Sequence, residues 1–228
     1  MNVKNFSVVV LLSISLGLAA SAGAATITLS HGYGGTGGGE FLAAHSGLLF
    51  SPVNLSLAPA APFETFCVEV NEHVSYGTSY FADVSTAAVY GGAGGGNPDP
   101  LSPLTAYLYQ KFATSSLVGY NYGGGALRSA SADALQHVIW FIEDEEAKAW
   151  VDGDSSLMDK FYQDAVLNAG PGIGNVRILN LWTDESRSHA AQDQLVLMPE
   201  PTTALVLLSG LALLLGARRR SNQLAAGR

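Results

Sequence analysis

The chain has 228 residues, 48% of them hydrophobic and only 13% charged, with a formal net charge of −8 at pH 7. The imbalance is sharper between residues 25 and 198, which hold 6 of the 11 basic and 18 of the 19 acidic residues, a balance of −12. Such a surface repels nucleic acid and anionic lipid, which excludes both as partners, and a single cysteine, Cys67, excludes an internal disulfide framework.

Residues 1–24 carry Lys4, an apolar run from Val8 to Ala20, and the small residues Ala22-Gly23-Ala24. That layout predicts a signal peptide removed by signal peptidase after Ala24. Residues 25–197 are long enough for one exported domain with a sizeable core. Thr26 to Leu29 reads as a first strand and runs into the glycine-rich stretch His31 to Gly39. This stretch has the spacing G-x-G-x-x-G, but no capped helix follows and the exported compartment lacks nucleotide, so a flexible loop is expected. Leu48 to Leu57 reads as an edge strand interrupted by Pro52. Phe63 to Val70 is a better strand, with Phe66, Val68 and Val70 on one face and Cys67 on the other, between Thr65 and Glu69. A further pair of strands is expected over Tyr76–Tyr90, before the cluster Gly91 to Gly96 and the turn Asn97-Pro98-Asp99-Pro100.

Helices follow. Ser102-Pro103 makes an N-cap and N1 pair, with Leu104, Tyr107, Leu108 and Phe112 on one face. A second helix is predicted over roughly Ser131 to Trp150, where Leu135, Val138, Ile139 and Ile142 keep core spacing, Ser129 or Ser131 caps and Asp133 sits in the first turn. A third, Ser155 to Asn168, aligns Leu157, Phe161 and Ala165 and stops at Gly170-Pro171. Val176–Leu181 and Gln194–Leu197 read as closing strands. The order predicts an α+β fold: an antiparallel, barrel-like sheet with a group of inserted helices.

Chemistry is sparse. No G-x-S-x-G, H-E-x-x-H or C-x-x-C motif is present, and His31, His45, His73, His137 and His189 lack ligand spacing. Glu143-Asp144-Glu145-Glu146 reads as a solvated helix face rather than a calcium site, because successive helical residues point in different directions. Asp152-Gly153-Asp154 reads as a turn with helix-capping acids. Neither a metal nor a cofactor is expected, and no enzymatic turnover. A carbohydrate- or calcium-binding module, with Tyr33, Tyr120 and Tyr122 as exposed aromatics, and a hydrolase with an unrecognised site are the alternatives.

One constellation stands out. Gln136 sits about 100° from Leu135 on the second helix, at the border of its apolar stripe, with Trp140 one turn further on. Leu135-Gln136-His137-Val138-Ile139-Trp140 resembles the T-Q-x-A-[IV]-W helix of bacterial thioester domains, and Phe66-Cys67-Val68 resembles their upstream aromatic-Cys-aliphatic motif. Leu135 stands in place of the family's Thr and Val138 in place of its Ala. The resemblance implies that Cys67 and Gln136 join, with loss of ammonia, into an internal thioester beside Trp140. A surface polysaccharide hydroxyl, or an amine of a host or neighbouring cell, would be its target. Without that bond, Cys67 reads as a small hydrophobe in the sheet and Gln136 as a surface polar residue.

The chain ends on Met198-Pro199-Glu200-Pro201, sixteen uncharged residues from Thr202 to Ala217, then Arg218-Arg219-Arg220. At 1.5 Å per residue the uncharged run spans about 24 Å as a helix, slightly short of a ~30 Å hydrocarbon core. The arginines would stay on the cytoplasmic side, and Pro201 suits a helix start. The layout over 198–221 resembles the PEP-CTERM sorting signal of bacterial exported proteins. Met198 stands where that family usually has valine, and the tail 222–228 runs further than is usual. The resemblance implies a transmembrane helix over 202–217, anchorage in the inner membrane, recognition of Pro199-Glu200-Pro201 by an exosortase, and release to the cell surface or extracellular matrix. Replacing Pro199-Glu200-Pro201 with alanines is expected to leave export intact while the uncut protein accumulates in the inner membrane. Fractionation and immunoblotting check this, and unchanged processing would contradict it.

Overall fold

A computed structural model describes residues 24–35, 38–56 and 61–199. The expected signal peptide and the expected sorting signal, membrane helix and tail fall outside the described residues except for Ala24, Met198 and Pro199. Among the described residues, no helix is long and apolar enough to cross a membrane.

The elements run β1 (Thr26–His31), β2 (Phe41–Ser46), β3 (Phe63–Thr65), β4 (Ser79–Ser85), β5 (Ala87–Ala88), β6 (Asp99–Pro100), α1 (Pro103–Ala113), α2 (Ala126–Ile142), α3 (Leu157–Asn168), β7 (Val176–Trp182) and β8 (Ala190–Leu197). The fold is α+β, as the sequence predicts. Six strands form an antiparallel sheet in the order β3-β2-β1-β4-β7-β8, and β5 pairs with β6 in a small second sheet. The two edges of the large sheet meet. Just past β3, Leu195 N donates to Phe66 O (3.0 Å) and Val68 N to Asp193 O (3.1 Å), with Cys67 bridged to Gln194. Thr65 Oγ1 donates to Leu195 O (2.6 Å). Six strands therefore curl into a barrel-like closure, which leaves few unpaired edge groups.

Two apolar cores follow from strand alternation. Inside the curl lie Ile27, Leu29, Phe41, Ala43, Phe63, Tyr80, Ala82, Leu179 and Leu181. Outside it, Phe66, Val68, Val176, Ile178, Leu195 and Leu197 pack against the three helices. Phe66 meets Phe112 of α1 edge-on, with ring centroids 4.9 Å apart. β7 serves both cores by alternation, with Val176 and Ile178 on the helix side and Leu179 and Leu181 on the other, and its register against β8 slips between Leu179 and Leu181.

Several expectations are corrected. β2, absent from the sequence reading, pairs along its whole length with β1. Of the edge strand expected over Leu48 to Leu57, the described residues 48–56 form no strand, although Val53 N donates to Leu197 O (2.9 Å). The strand expected over Phe63 to Val70 ends at Thr65, and Val70 packs on the Cys67 side rather than with Phe66 and Val68. α2 begins after Gly125 and ends at Ile142, so neither Ser129 nor Ser131 caps it and Asp133 lies mid-helix. Ser131 is buried and receives Asn121 N instead (3.1 Å). The cap of α1 matches, with Ser102 accepting from Leu104 N and Pro103 at the first turn, whereas α3 is capped by Ser156, which accepts from Asp159 N, and not by the acids of Asp152-Gly153-Asp154.

Candidate functional site

Cys67 and Gln136 meet where the closed sheet abuts α2. The chain past β3 stays extended against β8, so the pleat sends Phe66 and Val68 towards the helices and Cys67 into the sheet's interior core. On α2, Leu135, Val138 and Ile139 are fully buried and commit the helix to the outer core. Gln136, about 100° round, then points at the mouth of the curl, with Trp140 one turn beyond it against the inner core. Cys67 is 0% exposed and Gln136 1%, so neither is the surface residue that the bland alternative requires of Gln136.

Gln136 Oε1 accepts from Gly39 N (2.8 Å), Cys67 N (3.2 Å) and Cys67 Sγ (3.2 Å). Gln136 Nε2 donates to Cys67 O (2.9 Å). These partners fix the amide's orientation, because a flip would set its NH2 against two backbone donors and its oxygen against a carbonyl. Glycine makes the approach possible. A Cβ on Gly38 would lie 2.4 Å from Gln136 Cγ and 3.0 Å from Trp140 Cη2, and one on Gly39 would lie 2.8 Å from Thr65 O. Asp133, one turn before Gln136, accepts from Gly35 N (2.5 Å). The stretch read as a flexible loop therefore has its two described ends tied to α2. No side chain of it carries chemistry, so the only sequence signal for Gly39 is the glycine run itself, placed just before a strand.

Burial pushes the Cys67 thiol far above its ordinary value; the Gly39 N–H lowers it, and nearby Glu69 raises it further. The thiol is thus neutral at rest. Trp140 Nε1 is buried without a hydrogen-bond partner, and its N–H is a smaller influence that lowers the Cys67 thiol. A recess of about 200 Å³ lined by Phe41, His73, Val74, Tyr76 and Gln192 adjoins the Cys67 side of the core. Tyr76 is raised by burial.

Acids crowd the same region. Glu69 Oε2 accepts from Asp193 N (3.1 Å), while Asp193 accepts from Val89 N, Asn180 Nδ2 and Leu181 N. Asp193, with three donors, holds the negative charge; burial and then that charge raise Glu69, which holds the proton. The run Glu143 to Glu146 is not the solvated helix face expected of it. α2 has ended, and Glu143 and Glu145 are each 5% exposed. Glu145 receives Val70 N and Ala93 N, and Glu143 receives Ser102 N. Tyr120 is also buried rather than exposed, donating to Glu40 Oε2 (2.6 Å), and Arg128 clamps the same carboxylate. Tyr33 does reach the surface, stacked on Arg128. His137 turns from the pair to Glu146 (2.7 Å). Among the described residues, no group of three or more His, Cys, Asp or Glu is placed to hold a metal ion.

Comparison with protein-family models, curated proteins and solved structures finds no significant match.

The buried acids set a pH dependence. Burial lifts Glu143 and Glu72 from 4.5 to about 7. A raised folded-state value means the folded chain binds the extra proton, so this stability is complete below about pH 4.5 and is lost as pH rises through 7. Glu143 alone is expected to contribute on the order of 2 kcal/mol more at pH 5 than at pH 8. Thermal unfolding should therefore show a lower Tm at pH 8, with Glu143→Gln flattening the difference; a Tm that rises from pH 5 to pH 8 would contradict it.

Proposed function

We propose that Cys67 and Gln136 join as an internal thioester, and that the protein is an exported bacterial surface or matrix protein using this bond for covalent adhesion. The observation that carries the reading is the 3.2 Å contact between Cys67 Sγ and Gln136 Oε1, which sets the sulfur beside the amide carbon that bears that oxygen. Sulfur–carbon bond formation expels the amide nitrogen as ammonia, with the thiol proton leaving on it. The product is an acylating group. An amine or hydroxyl attacking it would become attached to the side chain at position 136 and return Cys67 to a thiol. Each molecule reacts once, so the reading is of an adhesin and not of a turnover enzyme.

The surroundings support this reading. A thioester survives where water is excluded, and both residues are buried. A lone cysteine has no second thiol in the chain to exchange with. The recess beside Phe41, His73 and Tyr76 offers a nucleophile an approach from the side of Cys67. Export and sorting follow from the ends of the chain: signal peptidase removes residues 1–24, an exosortase acts at Pro199-Glu200-Pro201, and the inner membrane holds the protein in between. The extracellular position is where a reactive acyl group meets surface polysaccharides and foreign amines. Intact mass of the purified protein should fall short of its sequence by one ammonia, and Cys67→Ala should restore the full value. Methylamine should convert the deficit to an amine adduct. A full wild-type mass with a titratable thiol would overturn the reading.

A further inference from the structure

Two backbone N–H groups from separate segments converge on the oxygen of one side-chain amide: Gly39 N at 2.8 Å and Cys67 N at 3.2 Å from Gln136 Oε1. A resting amide is served by less; this arrangement spends two buried main-chain donors on one oxygen and requires Gly38 and Gly39 to lack side chains. The Trp140 indole N–H is buried in the same core as Cys67 and has no hydrogen-bond partner. An orphaned buried donor costs free energy unless something else takes it up. A tetrahedral carbon at Gln136 Cδ would place negative charge first on Oε1, and on the sulfur when the carbon–sulfur bond breaks. The two main-chain donors stand at the first pole, and the orphaned indole N–H lies in the core that holds the second.

We infer that Gly39 N–H and Cys67 N–H form an oxyanion hole around Gln136 Oε1 and that Trp140 Nε1–H stabilises the Cys67 sulfur, so that the site accelerates both the making and the opening of its own acyl bond. The inference rests on the thioester reading and supplies its machinery. In formation, the Cys67 sulfur adds to Gln136 Cδ and the carbonyl electron pair moves to Oε1, held by the two N–H groups. The thiol proton passes to Nε2, and collapse of the intermediate restores the carbonyl and releases ammonia. In opening, an amine or hydroxyl adds to the same carbon and Oε1 again takes the charge. The carbon–sulfur bond then breaks, and the thiolate, in the core that also holds the Trp140 N–H, takes up the proton that the nucleophile has lost. Electrostatic preorganisation of this kind acts most strongly where water is excluded. It also answers a difficulty that burial creates: a thiol held far above its ordinary value is a poor nucleophile and its thiolate a poor leaving group unless donors await the charge.

The test uses the full chain and methylamine as the nucleophile, following thiol release and intact mass with time. Trp140→Phe is expected to slow opening by roughly tenfold to a hundredfold, the loss of one hydrogen bond to a charged group. An isosteric benzothienyl-alanine at position 140, which keeps the ring volume and lacks the N–H, should slow it equally. Opening at the wild-type rate in the isosteric variant would overturn the role of Trp140. Gly39→Pro removes one oxyanion donor and is expected to cost about 10²–10³-fold in the rate of opening. A Cβ at position 39 would lie 2.8 Å from Thr65 O, so the second readout needs no variant at that position. Infrared difference spectra of ¹³C-glutamine-labelled protein, wild type minus Cys67→Ala, should place the thioester carbonyl stretch below that of a simple thioester carrying the same ¹³C label in an apolar solvent. A stretch at or above the solvent value would mean that no donors reach the oxygen, and would overturn the oxyanion hole while leaving the thioester standing. A wild-type protein without the mass deficit would remove the thioester itself, and the inference with it.

Discussion

The Gln136 carboxamide is the polar tie on which the arrangement depends. It joins three segments that the sequence keeps far apart: α2, the glycine stretch ahead of β2, and the chain leaving β3. Each of its hydrogen bonds is buried, where an unpaired amide would cost on the order of 1–3 kcal/mol. Its partners are main-chain groups and the Cys67 thiol, so the geometry is set by the backbone and not by mobile side chains. The closure of the sheet supplies the other half. Bonds from Phe66 and Val68 to β8 hold Cys67 in an extended pleat that points its sulfur inward.

The acidic residues around this tie have a related effect. Glu69, Glu143 and Glu145 are buried and accept from main-chain N–H groups, so they act as struts between segments. Glu145 binds Val70 to Ala93, and Asp193 binds β7 and Val89 to β8. The cost of burying Glu69 and Glu143 is lowered by protonation, which links the integrity of the site to acidity. The formal charge of residues 25–198 therefore overstates the charge they present to solvent.

Patterns confined to one element were legible in the sequence. Ser102-Pro103 caps its helix as read, and the alternation of Phe66, Cys67 and Val68 gave the direction of the sulfur. The stripe Leu135, Val138, Ile139 put Gln136 at a border, and that border is the site. What depended on tertiary contact was not legible. The start of α2 is set at Gly125, without a side-chain cap, and the serines expected there lie inside the helix. Glu143, Glu145 and Tyr120 look solvent-seeking by type and are buried because distant backbone donors or Arg128 and Glu40 await them. Gly39 was hidden for another reason. Its contribution is a main-chain N–H and the absence of a Cβ, and neither distinguishes it from glycines in an ordinary loop.

In the proposed reading the ends of the chain would direct sorting and the folded part would supply the chemistry, and the two meet in one claim: a covalent bond held in reserve until export. Digesting the untreated full chain at mildly acidic pH and sequencing the peptides by tandem mass spectrometry tests it directly. The account predicts one cross-linked species containing both Cys67 and Gln136, lighter than the two peptides together by one ammonia and separated into two by methylamine. Recovery of the two peptides apart, each with its unmodified residue, would contradict it.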